Sequence, residues 1–212
     1  FIILKAKCRS CSAKIKTKYF IIELISALSF VLIFHLYGIS FTTLLLFILS
    51  ICFIIIFFID LQHFIIPNEI TYPLMIIGFL KSFDPNLNLH LFPNFINSLI
   101  GGIFGFTIIW LIIFIYKKLR NKDGMGLGDA KLLSAIGFWF GWVSIPFIIF
   151  FSSAIALLSV VPDLIKKKKQ LSSQIPFGPY LIIGNLVFLF LINPIKIFIC
   201  LLYTSDAADD QA

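Results

Sequence analysis

Two aspartates stand where an apolar chain has little use for charge. Asp60 closes the run ICFIIIFFID, and Asp129 closes the glycine-punctuated stretch DGMGLGD just before AKLL. Peptide hydrolysis needs one group to activate water and another to protonate the leaving amine. Two neighbouring carboxylates that share one proton supply both, because close like charges raise one pKa. Each acid also has a plainer reading. Asp60 would be an interfacial residue reaching headgroup water, since a carboxylate within the bilayer is costly. Asp129 would be a helix N-cap, for which Asp is favoured. Gly124, Gly126 and Gly128 free the backbone ahead of Asp129, which would let an extended substrate lie against that loop. No Ser/His or Cys/His constellation competes: the histidines are His35, His63 and His90, and only His63 falls near the acids. One histidine does not make a zinc site. The other chemistry-bearing pair is Cys8 and Cys11, a C-x-x-C that is half of a tetrahedral zinc set and needs two further ligands.

The elements that must position these groups are transmembrane. The chain has 212 residues, 60% hydrophobic and 13% charged, against roughly a quarter charged in soluble domains. That composition excludes a water-exposed surface. Apolar segments recur at about 20–37, 41–59, 69–83, 95–116, 130–143, 145–162 and 177–200. They are continuously apolar without strand alternation, and only helices or closed barrels cross lipid. The expected fold is therefore all-α, a polytopic bundle of about seven helices. The segment at 130–143 is short enough to tilt or to lie partly in the interface.

The formal charge is +7, but the basic residues sit in short clusters between apolar runs, which reads as topology and not as a nucleic-acid footprint. With the N-terminal segment in the cytoplasm, 15 of the 17 Lys and Arg residues face inward, and only Lys81 and Lys196 do not. The loop 84–94 has no Lys or Arg and is expected outside. Asp60 and Asp129, 69 residues apart, then reach the same cytoplasmic face.

Four blocks together resemble bacterial type IV prepilin peptidases, aspartic membrane proteases with a G-x-G-D motif. The blocks are Cys8-Arg9-Ser10-Cys11 followed by a basic stretch, Tyr19 and Glu23; Asp60 with Ile66-Pro67-Asn68; Gly126 to Leu132; and Ile175 to Pro179. The resemblance implies that Asp60 and Asp129 are catalytic, with Gly126, Gly128, Lys131 and Glu23 around substrate or site. It implies cleavage of prepilins and pseudopilins after a Gly at the cytoplasmic face of the inner membrane, without a cofactor. It also implies, in the full-length protein, S-adenosylmethionine-dependent N-methylation and structural zinc held in part by Cys8 and Cys11. The family's further upstream helix and C-x-x-C are not in this sequence, so an N-terminal truncation is expected. The second acid found two residues after the first in many members is Gln62 here, which leaves Asp60 as the sole candidate in that block.

The expected organisation is a cytoplasmic Cys-containing remnant at 1–19, a peptidase domain at 20–202 and a foreign-looking acidic tail at 203–212. Two rivals stand beside the peptidase reading. A presenilin-like protease shares G-x-G-D but pairs it with Tyr-Asp, whereas residue 59 is Ile. A transporter would carry polar residues through several helix centres, whereas both acids here sit at one edge. The sequence fixes neither the oligomeric state nor the particular substrate.

Overall fold

The structure, a computed structural model, describes residues 16–84, 87, 92–120, 126–165 and 175–191. Cys8 and Cys11, the lysine run at 166–169 and the tail at 203–212 lie outside the described residues. Among the described residues seven α-helices follow in order: α1 Thr17–Tyr37, α2 Phe41–His63, α3 Asn68–Leu80, α4 Phe95–Arg120, α5 Leu127–Phe140, α6 Ser144–Ile165 and α7 Gly178–Leu191, with a 3-10 turn at Lys81–Phe83. The described residues contain no strand, and the fold is all-α as expected from the apolar runs. Among the described residues, four helices are long and apolar enough to cross a bilayer: α1, α2, α4 over Phe95–Leu119 and α6 over Ser144–Val161. The protein is a multi-pass membrane protein.

The chain divides into two compact units, Phe1–Phe58 and Ile59–Ala212, with the division inside α2. In the first unit, α1 and α2 form a hairpin. Gly38 has φ +59° and donates its N–H to the carbonyl of Phe34, the glycine helix stop expected where a left-handed residue is needed. Ser40 then accepts the N–H of Thr43, and the Thr43 hydroxyl donates back to the Gly38 carbonyl. Farther along, the Ser50 hydroxyl donates to Ser29 at 3.1 Å and the rings of Phe30 and Phe47 meet at 4.7 Å. Glu23 is exposed on α1.

The second unit is built around α5. Its 14 residues rise about 21 Å, less than a bilayer core of roughly 30 Å. It is enclosed by protein: Leu132, Leu133, Ala135, Ile136 and Trp139 have no exposed surface. The short apolar segment is the central helix of this unit. Helix α4 approaches it backbone to backbone, since a β-carbon on Gly101 or Gly137 would run into the other residue's carbonyl. Small residues permit this contact where lipid offers no hydrophobic drive to helix pairing. Ser98 and Ser134 donate across the same interface to the carbonyls of Phe138 and Gly102. Such bonds contribute about 0.6 kcal/mol each, so close packing is the larger effect.

Helix α3 holds the other side of α5. The Trp139 indole N–H donates to the Leu74 carbonyl at 2.8 Å, and Lys131 Nζ donates to Asn68 Oδ1 at 2.8 Å. Lys81, expected near the outer face, is buried beside the rings of Phe92 and Trp139. Helix α7 packs on α6, where a β-carbon on Gly184 would strike Ser152 and the Tyr180 and Ser159 hydroxyls lie 2.7 Å apart.

Candidate active site

Asp60 and Asp129 belong to the same unit, and each is held by local backbone features. Asp60 lies in the last turn of α2, buried with 4% exposure. Its carbonyl accepts the N–H of Phe64, which has φ +57°. A left-handed Phe costs about 1–2 kcal/mol. The strained residue ends α2 and sends the chain through Ile65, Ile66 and Pro67 into α3.

Asp129 lies in the first turn of α5, ahead of its long apolar stretch, with 8% exposure. The helix starts at Leu127, with Gly126 as its N-cap. Asp129 is thus the third helical residue and does not cap the helix itself. A carboxylate there meets the positive end of the helix dipole. Burial dominates nonetheless. It pushes the Asp129 carboxyl up to about 7, and the charge of Asp60 pushes in the same direction. A smaller opposing effect comes from a hydrogen bond with the Gly126 backbone. The charge of Asp60 thus acts on Asp129 and favours a proton there.

Three residues for which sequence reasoning gave no role complete the site. The backbone N–H of Gly178, at the head of α7, donates to Asp60 Oδ2 at 3.0 Å across 118 residues. A β-carbon on Gly178 would lie 2.7 Å from that same oxygen and 3.1 Å from Ile66 Cδ1. A β-carbon on Gly128 would lie 3.0 Å from Ile66 Cβ. Ile66 therefore fits between the two glycines, and the second, third and fourth sequence blocks meet at its side chain. Asn68 is the third residue, holding Lys131 while the Lys131 ammonium also lies over the Tyr72 ring at 5.2 Å. The available sequence signal was that Ile66, Asn68 and Gly178 lie inside the quoted blocks. Which atoms touch is a tertiary fact.

The other expected site residues differ in their surroundings. Gly128 turns its open face to Ile66, while Gly126 is exposed with ordinary clearance: a β-carbon there would be 3.8 Å from the nearest atom, Gly128 N. Glu23 is in the first unit. No group of three or more His, Cys, Asp or Glu side chains among the described residues is arranged to hold a metal ion, and Cys8 and Cys11 lie outside those residues. A buried carboxylate pair with one member near neutrality can take a proton and give one in the same cycle.

Comparison with known proteins places the chain in a peptidase family. Residues 46–161 match the type IV leader peptidase family, and residues 1–37 match the bacterial peptidase A24 N-terminal domain. Proteins named prepilin leader peptidase/N-methyltransferase are similar over most of the chain. The one from Aeromonas hydrophila is 32% identical over 86% of this chain and 61% of its own length. The one from Neisseria gonorrhoeae is 34% identical over 87% and 62%, and the one from Pseudomonas aeruginosa 30% over the same shares. The chain thus spans less than two thirds of these relatives. No solved structure matches it significantly. With more than half its length in the family match, the chain belongs to the type IV leader peptidase family.

Proposed function

We propose that this protein is a membrane aspartic endopeptidase that removes the leader peptides of type IV prepilins and pseudopilins, with Asp60 and Asp129 as the catalytic pair. The observation that carries the reading is the electrostatic coupling of two buried carboxylates, each placed by a different family block. One carboxylate takes a proton from water as the water oxygen attacks the scissile carbonyl. The other gives its proton to the departing amine as the C–N bond breaks. Burial supports this by keeping one proton on the pair near neutral pH. Gly128 acts through packing, since Ile66 fills the space a side chain would take, and Lys131 braces α5 against α3 through Asn68.

The distribution of Lys and Arg supports an inner-membrane location with the pair at the cytoplasmic face. The relatives' names include N-methyltransferase, which suggests S-adenosylmethionine as methyl donor in the full-length protein. Cys8 and Cys11 would supply two of the four thiolates of a structural zinc site there. The described residues do not complete such a site, and proteolysis requires no step through it.

The test is incubation of the protein in nanodiscs with a peptide carrying a basic leader, a Gly at the cleavage point and the following apolar segment. Mass spectrometry should show a single cut after that Gly. An intact peptide after prolonged incubation with properly inserted protein would overturn the proposal.

A further inference from the structure

The two carboxylates differ in their backbone partners: Asp129 has Gly126 beside its own turn, whereas Asp60 is reached by the distant Gly178. Its N–H points at Asp60 Oδ2 from the head of α7. Pro176 and Pro179 flank it in sequence, and proline fixes φ on either side. Ile66 borders the same position, its Cδ1 3.1 Å from where a β-carbon on Gly178 would lie. Asp60 Oδ2 therefore already accepts a hydrogen bond, and a proton on that oxygen would oppose the donor. No side-chain donor could stand in for this one, because a β-carbon at 178 would lie only 2.7 Å from Asp60 Oδ2.

We propose that Gly178 is a positioning residue whose backbone N–H holds Asp60 as the ionised general base and leaves the shared proton on Asp129, the general acid. The inference rests on the peptidase reading of the pair and goes beyond it by assigning the two roles. The proton then moves in one direction. Water gives its proton to Asp60 while its oxygen bonds to the scissile carbonyl carbon. The C–N bond breaks as the Asp129 proton passes to the amine nitrogen. The proton now on Asp60 returns to Asp129, so each turnover consumes one water and regenerates both acids.

The decisive variant replaces Gly178 with glycolic acid, introduced during cell-free synthesis into nanodiscs. It exchanges the N–H for an ester oxygen and adds no side-chain atom. A hydrogen bond to a charged acceptor favours the charged form. Its loss should therefore make Asp60 harder to ionise and move the acidic limb of the kcat/KM profile upward by about one to two pH units. A purely structural role for Gly178 would lower the rate without moving that limb. An acidic limb at its original pH in the ester variant would overturn the assignment. Cleavage by the unmodified protein in the same preparation tests the peptidase reading separately, so the two failures are distinguishable. Should the ester variant fail to assemble, Gly178→Ala provides the second arm. It keeps the N–H but displaces the carboxylate, and cleavage should fall on the order of 100-fold, as misplacement of a catalytic group does. Cleavage at the wild-type rate by Gly178→Ala would overturn the proposal as well.

Discussion

The two glycines of G-x-G-D should respond differently to the same added methyl group. At Gly128, the new β-carbon would sit 3.0 Å from Ile66 Cβ, with Ile66 Cγ1 and Cδ1 at 3.5 and 3.6 Å. The nearest atom adjoins the backbone and cannot rotate away. Ile66 also has little room to retreat, because its Cδ1 already borders the Gly178 position. Ala gains about 1 kcal/mol over Gly in helix propensity, while overpacking costs about 1–3 kcal/mol. Gly128→Ala should thus lose at most about 2 kcal/mol of stability. Its effect on rate should be larger, because Asp129 is the next residue and a shift near 1 Å in a catalytic group costs about 100-fold. Gly126 has φ −81° and ψ +147°, open to any residue, and a β-carbon there meets nothing closer than 3.8 Å. Replacing an N-cap Gly with Ala costs less than about 1 kcal/mol. Gly126→Ala should therefore match Gly128→Ala in stability within about 1 kcal/mol, yet keep cleavage within about threefold of wild type, less than the 100-fold of misplacement. Thermal unfolding in detergent and prepilin cleavage in nanodiscs, run on both variants, separate the two effects. Equal loss of cleavage in both variants would refute the packing argument and restore the glycines to a shared role against substrate.

Three further outcomes follow from the same geometry. The pair loses its last proton as Asp129 ionises near 7, so kcat/KM should fall about tenfold per pH unit above that point, and a profile flat to pH 9 would contradict the buried pair. The folded pKa of Asp129 is raised from 3.8 to about 7, so its contribution to stability is complete below about 4 and is lost as pH rises through 7. Asp129→Asn should therefore unfold at higher temperature than wild type at pH 8, with the gap closing toward pH 4. A single cysteine placed in the 84–94 loop of a protein without its native cysteines should react with an impermeant thiol reagent from outside, whereas one beside Lys168 should not; reversed labelling would place both acids on the wrong face.

Much of this architecture was legible because its cause is local. Continuous apolar runs marked all seven helices, and each described helix overlaps its expected segment. The errors fall where hydrophobicity stops carrying the signal. Helix α5 begins at Leu127 and not near 130, because Gly128 and Asp129 are helical without being apolar. That shift removes Asp129 from the N-cap position and places Gly128 inside the helix. The left-handed Phe64 was invisible, since nothing in its residue type asks for a positive φ. Pro73 inside α3 likewise does not stop that helix. The two acids could be picked out by chemistry and spacing, but their surroundings could not. The Gly178 to Asp60 hydrogen bond spans 118 residues, and Ile66 reads in sequence as one apolar residue among many. Only packing shows that Ile66 joins the three blocks.

The most direct measurement is cleavage of a prepilin-like peptide by Asp60→Asn, Asp129→Asn and the double variant, each inserted and accumulated to the wild-type level. Asn keeps the shape and much of the hydrogen bonding but cannot exchange the proton. Each single variant should lose on the order of 100-fold or more, the least that acid–base catalysis contributes. The double variant should be no worse than the singles, because the pair works as one unit. Near-normal cleavage by either single variant would contradict the catalytic pair at the centre of this account.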